Sequence, residues 1–399
     1  MLGRIIKNKG RFYCTARGKT LTVEVDNADK LTNGDLVQIK DKLFNKSSTI
    51  KRSEIKVLKQ IPPKAKFITV NESTPLIKRL KNRVLDLRRQ TNQSRFIVRS
   101  EINRILQNLF HTSGYTSVNT PLIVGSVLEG RVKTFDIDFF GKEASLTMTK
   151  LVHLRYLICS DFGKVFDLSP VFVGGQHKTT SHVAEYYTFD WASSEIIDFN
   201  KHLRFVDEII SKMLLMLSKS VFDIEVDLDT DTLFKQAKKM KVVPYYELMN
   251  RYAKANPKNE EALEQFHLPG KVIDFAHKTY SQYIWITEFP ESFKQFYCDT
   301  KKSGDKTVVQ ASELWWNGIK VASVSFSNSD YEKSLDRIKF LGLNPKNFET
   351  YLNSIQLGSS EAYLGSLYIE RLMMVLLKIE NMKETLMFPR AAQGTVLDP

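Results

Sequence analysis

Residues 165–195 read VFDLSPVFVGGQHKTTSHVAEYYTFDWASSE. The first half alternates apolar and polar side chains as far as Pro170 and Phe172, the pattern of a strand with a buried face. A polar loop, residues 174–181, comes next, and residues 183–191 return as a second strand-like run. Two long strands joined by a cation-bearing loop predict a hairpin able to close over an anionic ligand. The pattern alone fits an ordinary antiparallel hairpin equally well.

The flanking segments are ordered in a definite way. Residues 94–109 set Phe96, Ile97, Ile102, Ile105, Leu106 and Leu109 on one side, which predicts an amphipathic helix stopped by Gly114. YTSVNTPLI (115–123) then predicts a strand closing at Pro121. After the hairpin, residues 196–285 carry helical patterns, including HLRFVDEIISKMLLMLSKSV (202–221) and VVPYYELMNRYAKAN (242–256). Three later stretches complete the order: WITEFPESFKQFY (285–297), SELWWNGIKVASVSF (312–326) and AYLGSLYIERLMMVLLKIENMKETLMFPR (362–390). There is no internal repeat and no low-complexity tract.

With these residues in this order, the chain resembles the class II aminoacyl-tRNA synthetases, and among them the asparaginyl/aspartyl group. The hairpin is similar to the family's second signature motif. Residues 94–121 are similar to the first, and residues 362–390, with Glu370-Arg371 and Phe388-Pro389-Arg390, to the third. The resemblance spans residues 70–390 and implies an α+β fold, an antiparallel sheet with flanking helices. It also implies a homodimer built on the first motif, tRNA as partner, and ATP with magnesium for amino-acid activation.

The frame of the motifs is kept, and much of the chemistry they imply is replaced. The family carries Arg-x-Glu just after the Phe matched by Phe172, and an Arg beside the His matched by His182. Those residues grip the α-phosphate and help to place the adenosine; here Val173, Gly175 and Ser181 stand instead. Glu129-Gly130 matches a pair whose Glu holds the substrate's amino group. Thr149 stands for a Ser, and Leu151 for a Gln that touches the amino acid. Leu151 cannot make that hydrogen bond and reads as packing. Of the two magnesium-binding acids, Glu313 takes the first position and Lys320 the second. An ammonium opposes a metal ion, so no metal site is expected. Tyr363, Leu364, Ser366 and Tyr368 occupy the places of glycines that let ligand approach the backbone. The rings of Tyr363 and Tyr368 are therefore expected where nucleotide and aminoacyl group would sit. Glu129, Thr149, His182, Glu185, Lys294, Glu313 and Arg371 remain as residual ligand-binding candidates, with Lys294 the strongest cation among them.

A charge-assisted contact to phosphate contributes roughly 1.5–3 kcal/mol. Losing two costs about 10³-fold in rate. The substitutions thus predict a synthetase-like chain without amino-acid activation and without a required cofactor, a dimeric scaffold for RNA or a protein partner. The alternative is an ATP- and magnesium-dependent asparaginyl-tRNA ligase, or a related adenylating or amidating enzyme, with an altered site.

Composition agrees with a globular protein of 399 residues, 42% hydrophobic and 26% charged. No apolar run approaches the roughly 20 residues that span a bilayer. Cys14, Cys159 and Cys298 lie far apart, which suggests neither a disulfide framework nor a zinc site, and a reducing compartment. The net charge is +13, and residues 1–90 hold 22 Lys and Arg against 8 Asp and Glu, a local net of +14. That segment points to a polyanion, nucleic acid first; a solvated lysine-rich surface is the plainer explanation. Its first 23 residues contain no acid, which suits a mitochondrial presequence, yet they alternate like strands meeting at Gly10 and Gly18. A folded strand start in a cytoplasmic protein is the expectation.

Residues 1–63 read as about five short strands, a small OB-like nucleic-acid-binding barrel. Arg11, Phe12 and Tyr13 are its RNA-binding candidates. Residues 64–94 form a basic linker in which Lys78, Arg79, Lys81, Arg88 and Arg89 are further candidates. Residues 95–399 are assigned to the synthetase-like domain, with a helical insertion around residues 196–285.

Overall fold

The computed structural model describes residues 2–8, 11–16, 22–26, 30–39, 49–62, 70–125, 133–175, 179–195, 198–220, 227–257 and 268–392. The chain divides into two compact units, one centred on residues 1–99 and the other on residues 100–219 and 228–393.

In the first unit, β1 (Leu2–Asn8), β2 (Arg11–Ala16), β3 (Thr22–Asp26), β4 (Leu36–Ile39), β5 (Thr49–Lys51) and β6 (Ile55–Lys59) form one sheet. Their order is β5-β3-β2-β1-β4-β6, an OB-like half-barrel. Period-two alternation sends Ile5, Cys14, Val25, Val37, Ile39, Ile50 and Ile55 into one core. The sheet has six strands where about five were expected, because β5 is three residues long and too short to alternate visibly. Residues expected as a linker are helical instead: α1 (Leu76–Lys81), α2 (Arg83–Asp86) and the start of α3 (Gln90–Thr112). Their helices surround the carboxylate of Asp86, which is fully buried. Arg83 bonds it at Oδ2, Arg89 at Oδ1 over 2.8 Å, and Arg79 approaches to 3.7 Å.

In the second unit, β7 (Thr116–Ser117) follows α3, and β8 (Ile123–Gly125), β9 (Asp136–Phe139) and β10 (Lys142–Leu146) make a separate three-stranded sheet. Then come α4 (Leu151–Cys159), β11 (Lys164–Phe172), β12 (Glu185–Ser193), α5 (Phe199–Lys219), α6 (Thr230–Lys238), β13 (Lys241–Pro244), α7 (Tyr245–Ala255) and α8 (Gly270–Thr279). The chain ends on β14 (Tyr283–Pro290), β15 (Thr300–Ser303), β16 (Lys306–Trp316), β17 (Ile319–Ser327), α9 (Tyr331–Phe340), α10 (Glu349–Gln356), β18 (Ala362–Tyr368) and α11 (Ile369–Leu376). The main sheet runs β13-β14-β16-β17-β18-β12-β11-β7, with β15 paired to β16. It is antiparallel except at its two ends, where β13 joins β14 and β7 joins β11 in parallel.

The quoted hairpin is thus β11 and β12, paired over nine positions from Lys164↔Ser193 to Phe172↔Glu185. The sheet has nine strands, more than the motif stretches of the sequence account for. One extra is β13: Val242 and Val243, read within a helical pattern, pair with Trp285 and Ile286. Pro244 ends β13 and is the N-cap of α7, at the point where the chain leaves the sheet. The strand expected to close at Pro121 is only two residues long.

Two close approaches hold this unit together. Gly174 donates its N–H to the Lys133 carbonyl at 2.8 Å, and a Cβ there would fall 2.3 Å from the Thr134 oxygen. Gly365, in β18, lies under the Trp191 indole, and a Cβ would fall 2.1 Å from its Cζ2. The indole N–H donates to His202 Nε2 on α5 at 3.1 Å. His202 is fully buried, and burial pushes its imidazole down to about 3, so it is neutral at ordinary pH.

On the same helix, Asp207 Oδ1 accepts from the Tyr283 hydroxyl at 2.7 Å and the Trp285 indole at 3.0 Å. Its Oδ2 is buried with no hydrogen-bond partner among the described residues. Burial raises its carboxyl to about 6, against the pull of those two donors. The folded value exceeds the ordinary 3.8, so stability is gained as pH falls through 6 and lost as pH rises through that window. Asp207→Asn keeps an acceptor for both donors and removes the charge. It should stabilise the protein by ~2 kcal/mol at pH 7.5 and by almost nothing at pH 4. Calorimetric melting at both pH values checks this, and an equal shift at each would sink the assignment.

Candidate functional site

The site is built on the hairpin of β16 and β17. Asn317 and Gly318 both have positive φ, 48° and 82°, the Asn-Gly turn that joins two strands tightly. The register shifts beyond Trp315↔Lys320, so Val321 is an extra residue on β17. That bulge brings Lys320 and Ser323 onto the face carrying Glu313 and Trp315.

Glu313 is buried and its carboxylate is fully engaged. Lys294, just past the end of β14, donates to Oε1 at 2.5 Å, and Lys320 donates to the same oxygen at 3.1 Å. The Trp315 indole N–H donates to Oε2 at 3.1 Å. Burial disfavours the carboxylate, but the two ammoniums outweigh it and hold Glu313 well below the usual carboxylate range. The two lysines respond in opposite directions. Lys294, the more buried, is pushed down by burial against the pull of Glu313. For Lys320, burial is outweighed by Glu313, and the ammonium is pushed up.

Aromatic rings complete the wall. Lys294 Nζ sits 3.8 Å from the Phe289 ring centre, while Lys320 Nζ and the Arg371 guanidinium lie 5.6 Å and 5.2 Å from that of Tyr368. The Tyr368 hydroxyl bonds Ser323 Oγ at 3.0 Å. Lys294, Glu313, Lys320, Ser323 and Tyr368 line a cavity of about 60 Å³.

Five sequence candidates therefore meet: Lys294, Glu313, Lys320, Tyr368 and Arg371. Tyr363 does not join them. It is five residues from Tyr368 along one strand, an odd number, so it points to the opposite face. There it packs on His202 and Phe326, with ring centres 5.5 Å and 5.0 Å away. Leu364 goes into the core beside Leu151. The Thr149 hydroxyl accepts from the Leu151 N–H at 3.3 Å, just before α4. Thr179 and Ser181 bond His182 Nδ1 within the hairpin loop. Val173 and Gly175 begin that loop, and Glu185 starts β12 opposite Phe172. Glu129 lies outside the described residues.

The sequence reading missed a second buried group. Lys150 is fully buried and donates to the carbonyls of Asp167, Ser169 and Thr188 at 3.2, 3.1 and 2.8 Å. It stands 3.9 Å from Asp167 Oδ1 and 3.7 Å from Asp190 Oδ2, and ties β11 to β12. Burial raises the Asp190 carboxyl in spite of the ammonium. A lysine following Thr147, Met148 and Thr149 carries no pattern that marks it as interior. Glu370, fully buried, accepts from the Tyr187 N–H at 2.8 Å and anchors α11 to the same hairpin.

Among the RNA-binding candidates, the structure separates two kinds. Lys78 and Lys81 are exposed, as is Arg11, which pairs with Glu24 at 3.3 Å. Arg88 and Tyr13 are half-buried. Phe12 packs against the barrel core, on the face of Cys14, rather than outward for stacking. Arg79 and Arg89 turn inward to Asp86, and Arg89 also bonds Glu72, so neither belongs to a surface patch.

The residues do not fit magnesium. The one carboxylate of the cluster already spends Oε1 on two ammoniums, and hard cations need several free oxygens. Among the described residues, no group of three or more His, Cys, Asp or Glu side chains could hold a metal ion. Nor does any helix among them have the length and apolarity to cross a membrane.

Known proteins resemble this chain in sequence and in fold. The family model described as tRNA synthetases class II (D, K and N) matches residues 76–392. The aspartate–tRNA(Asp/Asn) ligase of Methanococcus aeolicus is 28% identical over 320 residues, 79% of this chain and 70% of the relative. The aspartate–tRNA(Asp) ligase of Pyrococcus horikoshii is 26% identical over 317 residues, 78% and 71%. The fold is similar to asparaginyl-tRNA synthetase from Pyrococcus horikoshii complexed with asparaginyl-adenylate, with a TM-score of 0.80. That match covers 98% of this chain and 93% of the other at 18% identity. The Entamoeba histolytica asparaginyl-tRNA synthetase in complex with asparaginyl-adenylate gives 0.78 at 18% identity, over 98% and 94%.

Proposed function

We propose that this chain, which belongs to the class II tRNA synthetases (D, K and N) through residues 76–392, no longer activates an amino acid. It acts as a dimeric cytoplasmic protein that binds RNA, tRNA first, in a regulatory or assembly role. The observation that carries this reading is the closed set Lys294–Glu313–Lys320. An acid that would face magnesium is instead neutralised from within, and Tyr368 stands in the wall beside it. The cavity beside them among the described residues, about 60 Å³, is well under the ~300 Å³ at which ligand pockets begin.

ATP–pyrophosphate exchange, run with each amino acid and magnesium, should give no rate above the protein-free blank. Titration with Mg-ATP should show no binding tighter than about 1 mM, near −4 kcal/mol. Aspartate- or asparagine-dependent exchange would instead make the chain an active ligase with an altered site, and Lys294, Glu313 and Arg371 the first residues to vary.

RNA binding is supported by the exposed lysines of α1 and the local charge of +14 over residues 1–90. Lys78→Glu with Lys81→Glu should weaken tRNA binding and lower the steepness of its salt dependence by about one for each lysine. Arg79 is left out because it serves Asp86. Equal affinity and salt slope in parent and double variant would leave the patch as solvated surface only.

A further inference from the structure

Helix α9 presents a charged face to a cavity. Lys333, Asp336, Arg337 and Phe340 follow one another at spacings of three, one and three, so they share one side of the helix. That side borders a half-open space of about 310 Å³, whose other wall includes Asp299 and Asn328. The linings of this space and of the cavity beside Glu313 have Cys298 alone in common among the described residues. Asp299 is held from several directions. Its Oδ1 accepts from the Asn328 amide at 2.8 Å and its Oδ2 from the Gln310 amide at 3.1 Å. Its backbone N–H donates to the Phe326 carbonyl, and its carbonyl accepts from the Gln310 N–H, both at 2.8 Å. Asn328 is fixed in turn, because its Oδ1 accepts from the Asp330 N–H at 2.9 Å and the Ser334 hydroxyl at 3.3 Å. The carboxylate is thus oriented by neutral donors, with no lysine or arginine paired to it among the described residues. Each of its oxygens keeps a lone pair for a cation. On the α9 side, Arg337 is buried, and its Nη2 donates to the carbonyls of Glu291 and Lys294 at 2.7 and 2.9 Å. The Glu291 carboxylate stands 3.8 Å from its Nη1, and the Phe340 ring centre 5.6 Å from its guanidinium carbon. Fixed charges of both signs therefore face one space, each set by second contacts that a bound molecule would not have to supply.

We propose that this cavity binds a free basic amino acid, arginine being the model. Carboxylates and cations in one wall call for a ligand that carries both charges. Glu291, Asp299 and Asp336 stand against Lys333 and Arg337, which leaves one negative charge over, and a zwitterion with a cationic side chain matches that balance. The ligand carboxylate meets Lys333 and Arg337, and its α-ammonium meets Asp299. Its guanidinium pairs with Asp336 and lies on the half-exposed ring of Phe340. A simple diamine would set a cation against Lys333 and Arg337, and a neutral amino acid would leave a carboxylate unmatched. At about 310 Å³ the space lies at the lower end of small-molecule pockets, the range of a single amino acid. The site goes beyond the reading above and does not depend on whether the chain activates an amino acid.

The test is calorimetric titration of the full chain with L-arginine at constant ionic strength. Three analogues are run beside it: agmatine lacks the carboxylate, Nα-acetyl-arginine the α-ammonium, and citrulline the side-chain charge. The expected dissociation constant for arginine is below about 1 mM, and each analogue should bind weaker by about tenfold or more. Asp299→Asn, Asp336→Asn and Lys333→Gln should each weaken arginine binding by about the same factor. If Asp299→Asn melts below the assay temperature, Asp336→Asn and Lys333→Gln carry the comparison, since both positions are exposed. Absence of arginine binding, or equal affinity for agmatine, overturns the proposal. So does unchanged affinity in the folded variants, which would place arginine elsewhere on the chain. Those failures leave the loss of activation standing, whereas amino-acid-dependent pyrophosphate exchange would overturn that reading by itself.

Discussion

Replacing Asp86 with alanine should unfold the N-terminal unit at temperatures where the parent is intact. The side chain has no exposure to solvent, and three guanidiniums converge on it. Breaking a buried ion group by removing one partner costs about 3–5 kcal/mol, because the remaining charges stay in a poorly solvated place. Arg79 and Arg83 are themselves buried and cannot simply turn to water. Asp86→Asn keeps an acceptor and should fall between parent and alanine variant. Lys81→Ala, on the exposed side of the same segment, should change stability by less than about 0.5 kcal/mol. Amide exchange over residues 70–99, with circular dichroism melting, measures all three. An alanine variant within about 1 kcal/mol of the parent would mean that the arginines relax outward.

Gly365→Ala should be nearly as damaging in the second unit. The new methyl would lie 2.1 Å from Trp191 Cζ2 and 2.3 Å from Cε2, far inside contact distance. The indole is not free to retreat. It is buried, bonded to His202, and packed against Phe110, whose ring centre is 5.4 Å away. Overpacking of this kind costs roughly 1–3 kcal/mol, and the upper end applies because two layers would have to move. Pairing the change with Trp191→Phe should recover part of the loss, a coupling that two independent effects would not give. Urea denaturation of the four proteins of that cycle decides it. Simple additivity would locate the strain elsewhere.

These two sites also mark what could be read from the chain alone. The β11–β12 hairpin, the long helices and the order of motifs were legible, because strand alternation and helical spacing repeat over many residues. That Glu313 and Lys320 belong to one site followed from their positions in a motif; that they pair did not. That Lys294 would complete the group from a separate loop did not, since no local pattern reports a contact across nineteen residues. Tyr363 and Tyr368 looked equivalent as bulky replacements for glycine, and only strand parity separates them. Arg79 and Arg89 read as basic surface because charge composition carries no information on burial. Val242 and Val243 sat in a helical stretch, and their capture by the end of the sheet depends on a neighbour forty residues on.

Helix α5 carries two groups that burial displaces in opposite directions: His202 down to about 3 and Asp207 up to about 6. Near pH 5 the folded protein therefore holds its proton on the carboxyl and leaves the imidazole bare. When the helix comes away from the sheet, both groups return to their ordinary values, 6.5 and 3.8, and the proton belongs on the histidine instead. Unfolding in this range moves one proton five residues along the chain and takes up none from solvent at these two positions. Taken together they contribute almost no slope to stability between about pH 4 and 6, although each alone would tilt it steeply. Removing either one, by Asp207→Asn or by an apolar residue at 202, should expose the tilt of the other.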